Sequence, residues 1–112
     1  MPQFITIGYG DQAGYNQTDR AIRDAAHAAD ALRVQHGDVM GIAGRPVQVR
    51  NHDAANVEIA HGAFMKADLP VAGFALIEAP DLDAAIQIAS RAPCAVAHGV
   101  VEVWPLEQAS KD

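Results

Sequence analysis

A handful of side chains in this sequence are of the types that chemistry requires. His61 stands beside Gly62, just after a strand-like run. An imidazole there can act as a general acid or base near physiological pH, or contact a ligand. It can equally be a plain turn residue. Tyr9 and Asp11 leave the end of the first strand-like run, and strand ends are where clefts open in layered α/β structures. Asp11 can bind a polar substrate group or partner His61, or it can hydrogen-bond its own turn. Phe64 is either core or a platform on which a ligand stacks. His98, before Gly99 and the last strand, can approach a cleft or simply occupy a connecting loop. His61 and Asp11 are therefore the candidate catalytic residues, and Tyr9, Phe64 and His98 the candidate ligand contacts.

The remaining histidines read differently. His27 falls on the solvated side of a helix, His36 at that helix's C-terminus, and His52-Asp53 in a turn. No pair of the five histidines is spaced as HxH, HxxxH or HExxH, and Cys94 stands alone. Neither a metal site nor any other cofactor is expected. Tyr9-Gly10-Asp11 opens a glycine-containing loop, but it lacks the spacing of a phosphate-binding loop.

Composition narrows the function classes. The net charge of −6 over 112 residues, with Lys and Arg scattered, argues against nucleic-acid binding and against electrostatic attachment to a membrane. No apolar run approaches the roughly 20 residues of a membrane span. The opening residues lack the pattern of a secretory leader, and a single cysteine excludes an internal disulfide. A cytoplasmic protein is expected. Half the residues are apolar but only 5% aromatic, so the core should be built of Ala, Val, Ile and Leu.

The elements that must position these residues follow from periodicity. Phe4–Tyr9 is rich in β-branched and aromatic residues and reads as a strand. Gln12–Gln17 reads as an irregular loop. A helix capped by Asn16 or Thr18 should run to about His36, with Gly37 after it. Ile22, Ala25, Ala26, Ala29 and Leu32 form its inward stripe, which turns His27 outward. Val39–Gly44 is a second strand. Val47–Arg50 and Val57–Ile59 form a hairpin across the turn at 51–56. A polar loop spans His61–Pro70, and Val71–Glu78 is a strand covered on both faces. A second helix starts at the Asp81 cap, with Leu82, Ala85, Ile86 and Ala89 inward. Pro93 marks its end, and Val100–Trp104 is the last strand. The order β-α-β-(β-β)-β-α-β is ferredoxin-like: an α+β fold with two helices on one face of an antiparallel sheet. The other face is left bare, and a second copy of the chain would cover it most simply, making a homodimer. One domain over 1–112 is expected, with an ordered core at about 3–106 and a polar tail at 107–112.

Residues 57–106 carry a family resemblance. His61-Gly62-Ala63-Phe64, then Gly73-Phe74, Leu76-Ile77-Glu78, the Asp81-Leu82-Asp83-Ala84-Ala85 helix start and Val101-Glu102-Val103 with Pro105 resemble the YCII-related family, above all its DGPF branch. The resemblance implies a dimeric ferredoxin-like α+β barrel and places His61 at a cleft mouth. It also suggests isomerase, lyase or dehalogenase-type acid–base chemistry on small molecules in a cleft between sheet and helices. The alternative is a non-catalytic small-molecule-binding or regulatory protein. The sequence departs from the pattern: the motif's Asp is His61 and its Pro is Ala63. Some relatives pair a His on the first helix with an Asp before the Pro that ends the second. Here Ala92 precedes Pro93, and His27, the sole candidate for the His, is turned away by the stripe.

Overall fold

A computed structural model describes residues 1–108, so residues 109–112 of the expected polar tail lie outside the described residues. The chain runs β1 (Gln3–Tyr9), α1 (Gln12–Gln17), α2 (Arg20–Gln35), β2 (Val39–Ile42), β3 (Val47–Arg50), β4 (Glu58–His61), β5 (Val71–Glu78), α3 (Leu82–Ser90), α4 (Pro93–Val96) and β6 (Val100–Leu106). Four strands form an antiparallel sheet in the order β2-β5-β1-β6. The α+β class and this strand order are compatible with the expected ferredoxin-like arrangement. Among the described residues no helix is long and apolar enough to cross a membrane.

Cross-strand register sorts the side chains into two faces. Phe4 lies opposite Ile77 and Pro105, and Thr6 opposite Ala75 and Val103. That face carries the helices. Phe4, Ile77, Ala79 and Ala85 are its buried centre, with Ile88 and Val103 packed around them. Ile5, Ile7 and Tyr9 point the other way, as do their partners Leu76, Phe74 and Trp104. On this second face Phe74 is 47% and Trp104 54% exposed.

Two short helices replace expected loop. Asp11 Oδ1 accepts the Gly14 N–H at 2.8 Å, and the Thr18 hydroxyl donates to the Gly14 carbonyl at 2.9 Å. One side chain caps each end of α1, so Gln12–Gln17 is helical, not irregular. Thr18 thus ends α1 and does not cap α2, whose N-cap residue Asp19 makes no side-chain cap bond. Pro93 opens α4 from its first turn, where a missing N–H costs nothing. The Asp81 cap is as expected, accepting from Ala84 N at 2.8 Å. Gly37 holds a left-handed φ of 101° at the end of α2.

The inward stripe of α2 is rotated from expectation. Ala26 is buried, but Ile22 and Leu32 are 47% and 56% exposed, while Asp30 and Arg33 are half-buried. The cause is an anchor at the helix's end. Arg33 Nε donates to Asp38 Oδ2 at 2.6 Å, and its Nη2 donates to the Glu78 carbonyl at 2.8 Å. Asp38 in turn accepts from Glu78 N at 3.2 Å. This tie to β5 outweighs a stripe made mostly of alanines. In α3, Ala85 and Ala89 are buried as expected, but Leu82 and Ile86 are exposed and Ile88 packs inward instead.

Strands β3 and β4 pair only with each other, as Val47↔His61 and Val49↔Ile59. Both sides of this hairpin are open, with Val49 and Ile59 each about two-thirds exposed. The radius of gyration, 16.2 Å, exceeds the roughly 13 Å of a compact chain of this length. The hairpin is an arm.

Candidate functional site

The rotation of α2 opens a cleft of about 640 Å³ between this helix and the sheet, within the usual size range of small-molecule sites. Its floor is the helix-side face of β1, β5 and β2, with Thr6, Ala75 and Met40 in one cross-strand row. Its far wall is the α3–α4 corner: Ile88, Ala89, Ala92 and Cys94. Nearly everything on these two sides is apolar. The roof, α2, brings His27, Asp30 and Arg33.

The polar groups on the roof are held in different ways. Arg33 is committed to the anchor just described. His27 Nε2 lies 3.0 Å from the Tyr15 hydroxyl on α1. This bond leaves Nδ1 as the ring nitrogen without a partner among the described residues. Arg23 stacks its guanidinium over the Tyr15 ring at 4.7 Å and stiffens the same corner. Asp30 follows His27 by three residues, and the two share one helix face. Burial raises the Asp30 carboxyl above its ordinary range, and the nearby His27 opposes this. Cys94 is half-buried. Desolvation raises its thiol, and the charge of Asp30 adds to the effect, so the thiol stays protonated and weakly nucleophilic.

The residues singled out from the sequence do not converge here. Asp11 borders the cleft, but its carboxylate is spent on capping α1. Tyr9 points to the opposite face of the sheet. There it donates to Glu102 Oε1 at 2.6 Å, with Met65 Sδ at 4.0 Å. The hydrogen bond to Glu102 raises the Tyr9 phenol, with help from burial and the Glu102 charge. His61 is the last residue of β4, not a loop residue, and is exposed on the arm. Phe64 is 75% exposed, beneath Arg50 at 5.8 Å and beside a shallow depression of about 330 Å³. His98 is exposed in a left-handed turn with φ 64°. It lies against α1 at Gly14, where a side chain would strike the Ala97 carbonyl.

The residues that do meet in the cleft were turned outward or passed over in the sequence. His27 is exposed, as its place on the solvated side of the helix predicts, yet it also borders the cleft because α2 is rotated. A signal was present. Arg23, His27, Asp30 and Arg33 recur at spacings of four, three and three, a polar stripe as regular as the alanine one. Thr6 was hidden within a strand of apolar neighbours. Among the described residues no group of three or more His, Cys, Asp or Glu side chains is close enough to hold a metal ion.

His27 and Ala92 border the same cleft. The family model of the YCII-related domain matches residues 3–109. No curated protein matches the chain. With nearly the whole sequence matched and the strand order compatible with a ferredoxin-like sheet, the chain belongs to the YCII-related domain family.

Proposed function

We propose that this chain is a small-molecule enzyme of isomerase, lyase or dehalogenase type, with His27 as its proton carrier in the cleft under α2. The observation that carries the reading is that His27 and Asp30 both front a cleft whose floor and far wall are almost wholly apolar. An apolar enclosure strengthens each polar contact made inside it and keeps water from competing for the proton. Tyr15 fixes the ring through Nε2. In the tautomer whose Nε2–H donates to the Tyr15 oxygen, Nδ1 can take a proton from a substrate C–H or O–H and return it to a second atom. Asp30 stabilises the imidazolium formed between those steps. It supplies from the same helix the carboxylate that Ala92 lacks. Asp11 is a positioning residue, since its cap holds α1 and hence Tyr15. His61, Tyr9, Phe64 and His98 have no part in proton transfer.

The working unit in this reading is a homodimer, a barrel closed across the second sheet face. The exposed Phe74 and Trp104 and the two-sided arm support it, because a two-stranded hairpin is marginal without a cover. A free cysteine without a disulfide partner fits a reducing compartment such as the cytoplasm.

The test is turnover of a panel of small carbonyl, hydroxy and halogenated compounds, followed by NMR, in wild type, His27→Gln and His61→Gln. Conversion should be lost in His27→Gln with ligand binding retained, and kept in His61→Gln. The reverse pattern would sink the assignment. Ala92 favours a second reading, a non-catalytic binding or regulatory protein, under which the wild type binds a ligand and converts none.

A further inference from the structure

The polar groups of the cleft differ in whether anything in the protein satisfies them, and that difference selects a ligand. Arg33 spends its donors on Asp38 and on the Glu78 carbonyl. Asp11 receives the Gly14 N–H. His27 is bonded to Tyr15. His27 Nδ1 is still open, and two oxygen acceptors have no donor. Thr6, on the floor, is only 9% exposed and lies on the helix-side face between Ala75 and Val103. Its hydroxyl has no hydrogen-bond partner among the described residues. Asp30, on the roof, is half-buried, and no N–H or O–H of the described residues donates to its carboxylate. Buried polar groups are almost always paired. A nearly buried hydroxyl and a half-buried carboxylate, both fronting one cavity, are therefore complementary to something that enters it.

We infer that the cleft takes a small organic molecule with a hydrogen-bond-donating head, best an ammonium, set between Asp30 and Thr6, and an apolar body lying along the Ala75, Met40 and Ile88 side; carboxylates are disfavoured. This inference rests on the reading of the cleft as the functional site and adds the class of ligand. An N–H donor satisfies the Asp30 carboxylate and can also donate to Thr6 Oγ1. A carboxylate head can accept from Thr6, but it would face Asp30 with like charge and no proton to share. Arg33, the guanidinium that lines the cleft, already pairs with Asp38, and Arg23 lies outside the lining, stacked on Tyr15. The raised Asp30 carboxyl and raised Cys94 thiol agree with a cavity that disfavours further negative charge. The floor offers little else that is polar, so the rest of the ligand gains most by being apolar.

The experiment titrates isotope-labelled full-length protein with three probes of matched shape: benzylamine, benzyl alcohol and benzoate. Amide shifts at Gly8, Gly73 and Cys94 report the cleft. Benzylamine should bind at least about tenfold more tightly than benzoate, a difference of about 1.4 kcal/mol, with benzyl alcohol between them. Asp30→Asn should bring the amine to within about twofold of the alcohol. Thr6→Val, close in volume and checked for an unchanged spectrum elsewhere, should weaken both. Benzoate binding as well as benzylamine, with shifts at the cleft, would overturn the ligand class and leave the cleft reading intact. Cleft shifts absent with all three probes would overturn the cleft reading along with the inference.

Discussion

The cleft under α2 and the β3–β4 arm hold the same kinds of side chain. Each has a histidine, an aromatic ring and an arginine stacked on that ring: His27, Tyr15 and Arg23 in one, His61, Phe64 and Arg50 in the other. They differ in surroundings. His27 is itself exposed, but it is bonded to Tyr15, stands one turn from a carboxylate raised by burial, and borders a cleft of about 640 Å³. His61 and Phe64 stand exposed on a hairpin open on both sides. Residue type is thus a weak guide to a site, and enclosure a strong one, because screening by water removes most of what a charge or a dipole can do.

The contrast can be broken most severely at the anchor. Arg33→Met leaves Asp38, whose side chain is only 3% exposed, as a buried unpaired acid. The expected cost is about 3 kcal/mol, read from the urea midpoint at unchanged slope. Arg50→Met on the arm should cost less than about 0.5 kcal/mol. Equal costs would mean that α2 is not held over the cleft by this tie. The next effect is on turnover. His27→Gln should lower it by about 100-fold, the usual worth of a positioned acid–base group, and His61→Gln should leave it unchanged. Tyr15→Phe sharpens the point. The bond it removes lies at the surface, so about 0.5 kcal/mol of stability should go. Turnover should fall by less than in His27→Gln, since only the ring's orientation is loosened.

The smallest effect concerns pH. The Asp30 carboxyl is raised in the folded state by burial, against the opposing His27, so folding favours its neutral form. Its contribution is fully present below the ordinary carboxylate range, near pH 4, and is lost as pH rises through the raised value. Asp30→Asn, which cannot ionise, should therefore gain melting temperature relative to wild type between pH 4 and pH 7. A constant difference between the two proteins across that range would remove burial as the cause.

Much of the fold was readable in the sequence. β1, β5 and β6 follow from β-branched runs and Gly or Pro punctuation, and Asp81 and Gly37 mark helix ends as expected. The site was less readable, for physical reasons. Alanine buries little area, so the Ala25, Ala26 and Ala29 stripe fixes the rotation of α2 weakly. The anchor that sets the rotation joins Arg33 to Glu78 across 45 positions, and no local pattern displays such a contact. Asp11 was weighed as a turn former or a ligand group, and its helix-capping role appears only with α1 in place. The polar run from His61 resembles a loop because the Val57–Ile59 alternation stops short of it, whereas the pairing with β3 continues to His61.

The position of β1 has a consequence for how the chain is made. β1 is complete by Tyr9, yet it lies between β5 and β6, and Phe4 meets Ile77 and Pro105. The first strand synthesised therefore waits for the last. Until β5 leaves the ribosome the β-branched run Phe4–Tyr9 has neither neighbour, and until residues beyond 100 follow it has only one; such distant pairings form slowly. The nascent chain exposes its most β-prone segment for most of its synthesis, and its hazard of misassembly is concentrated in that interval.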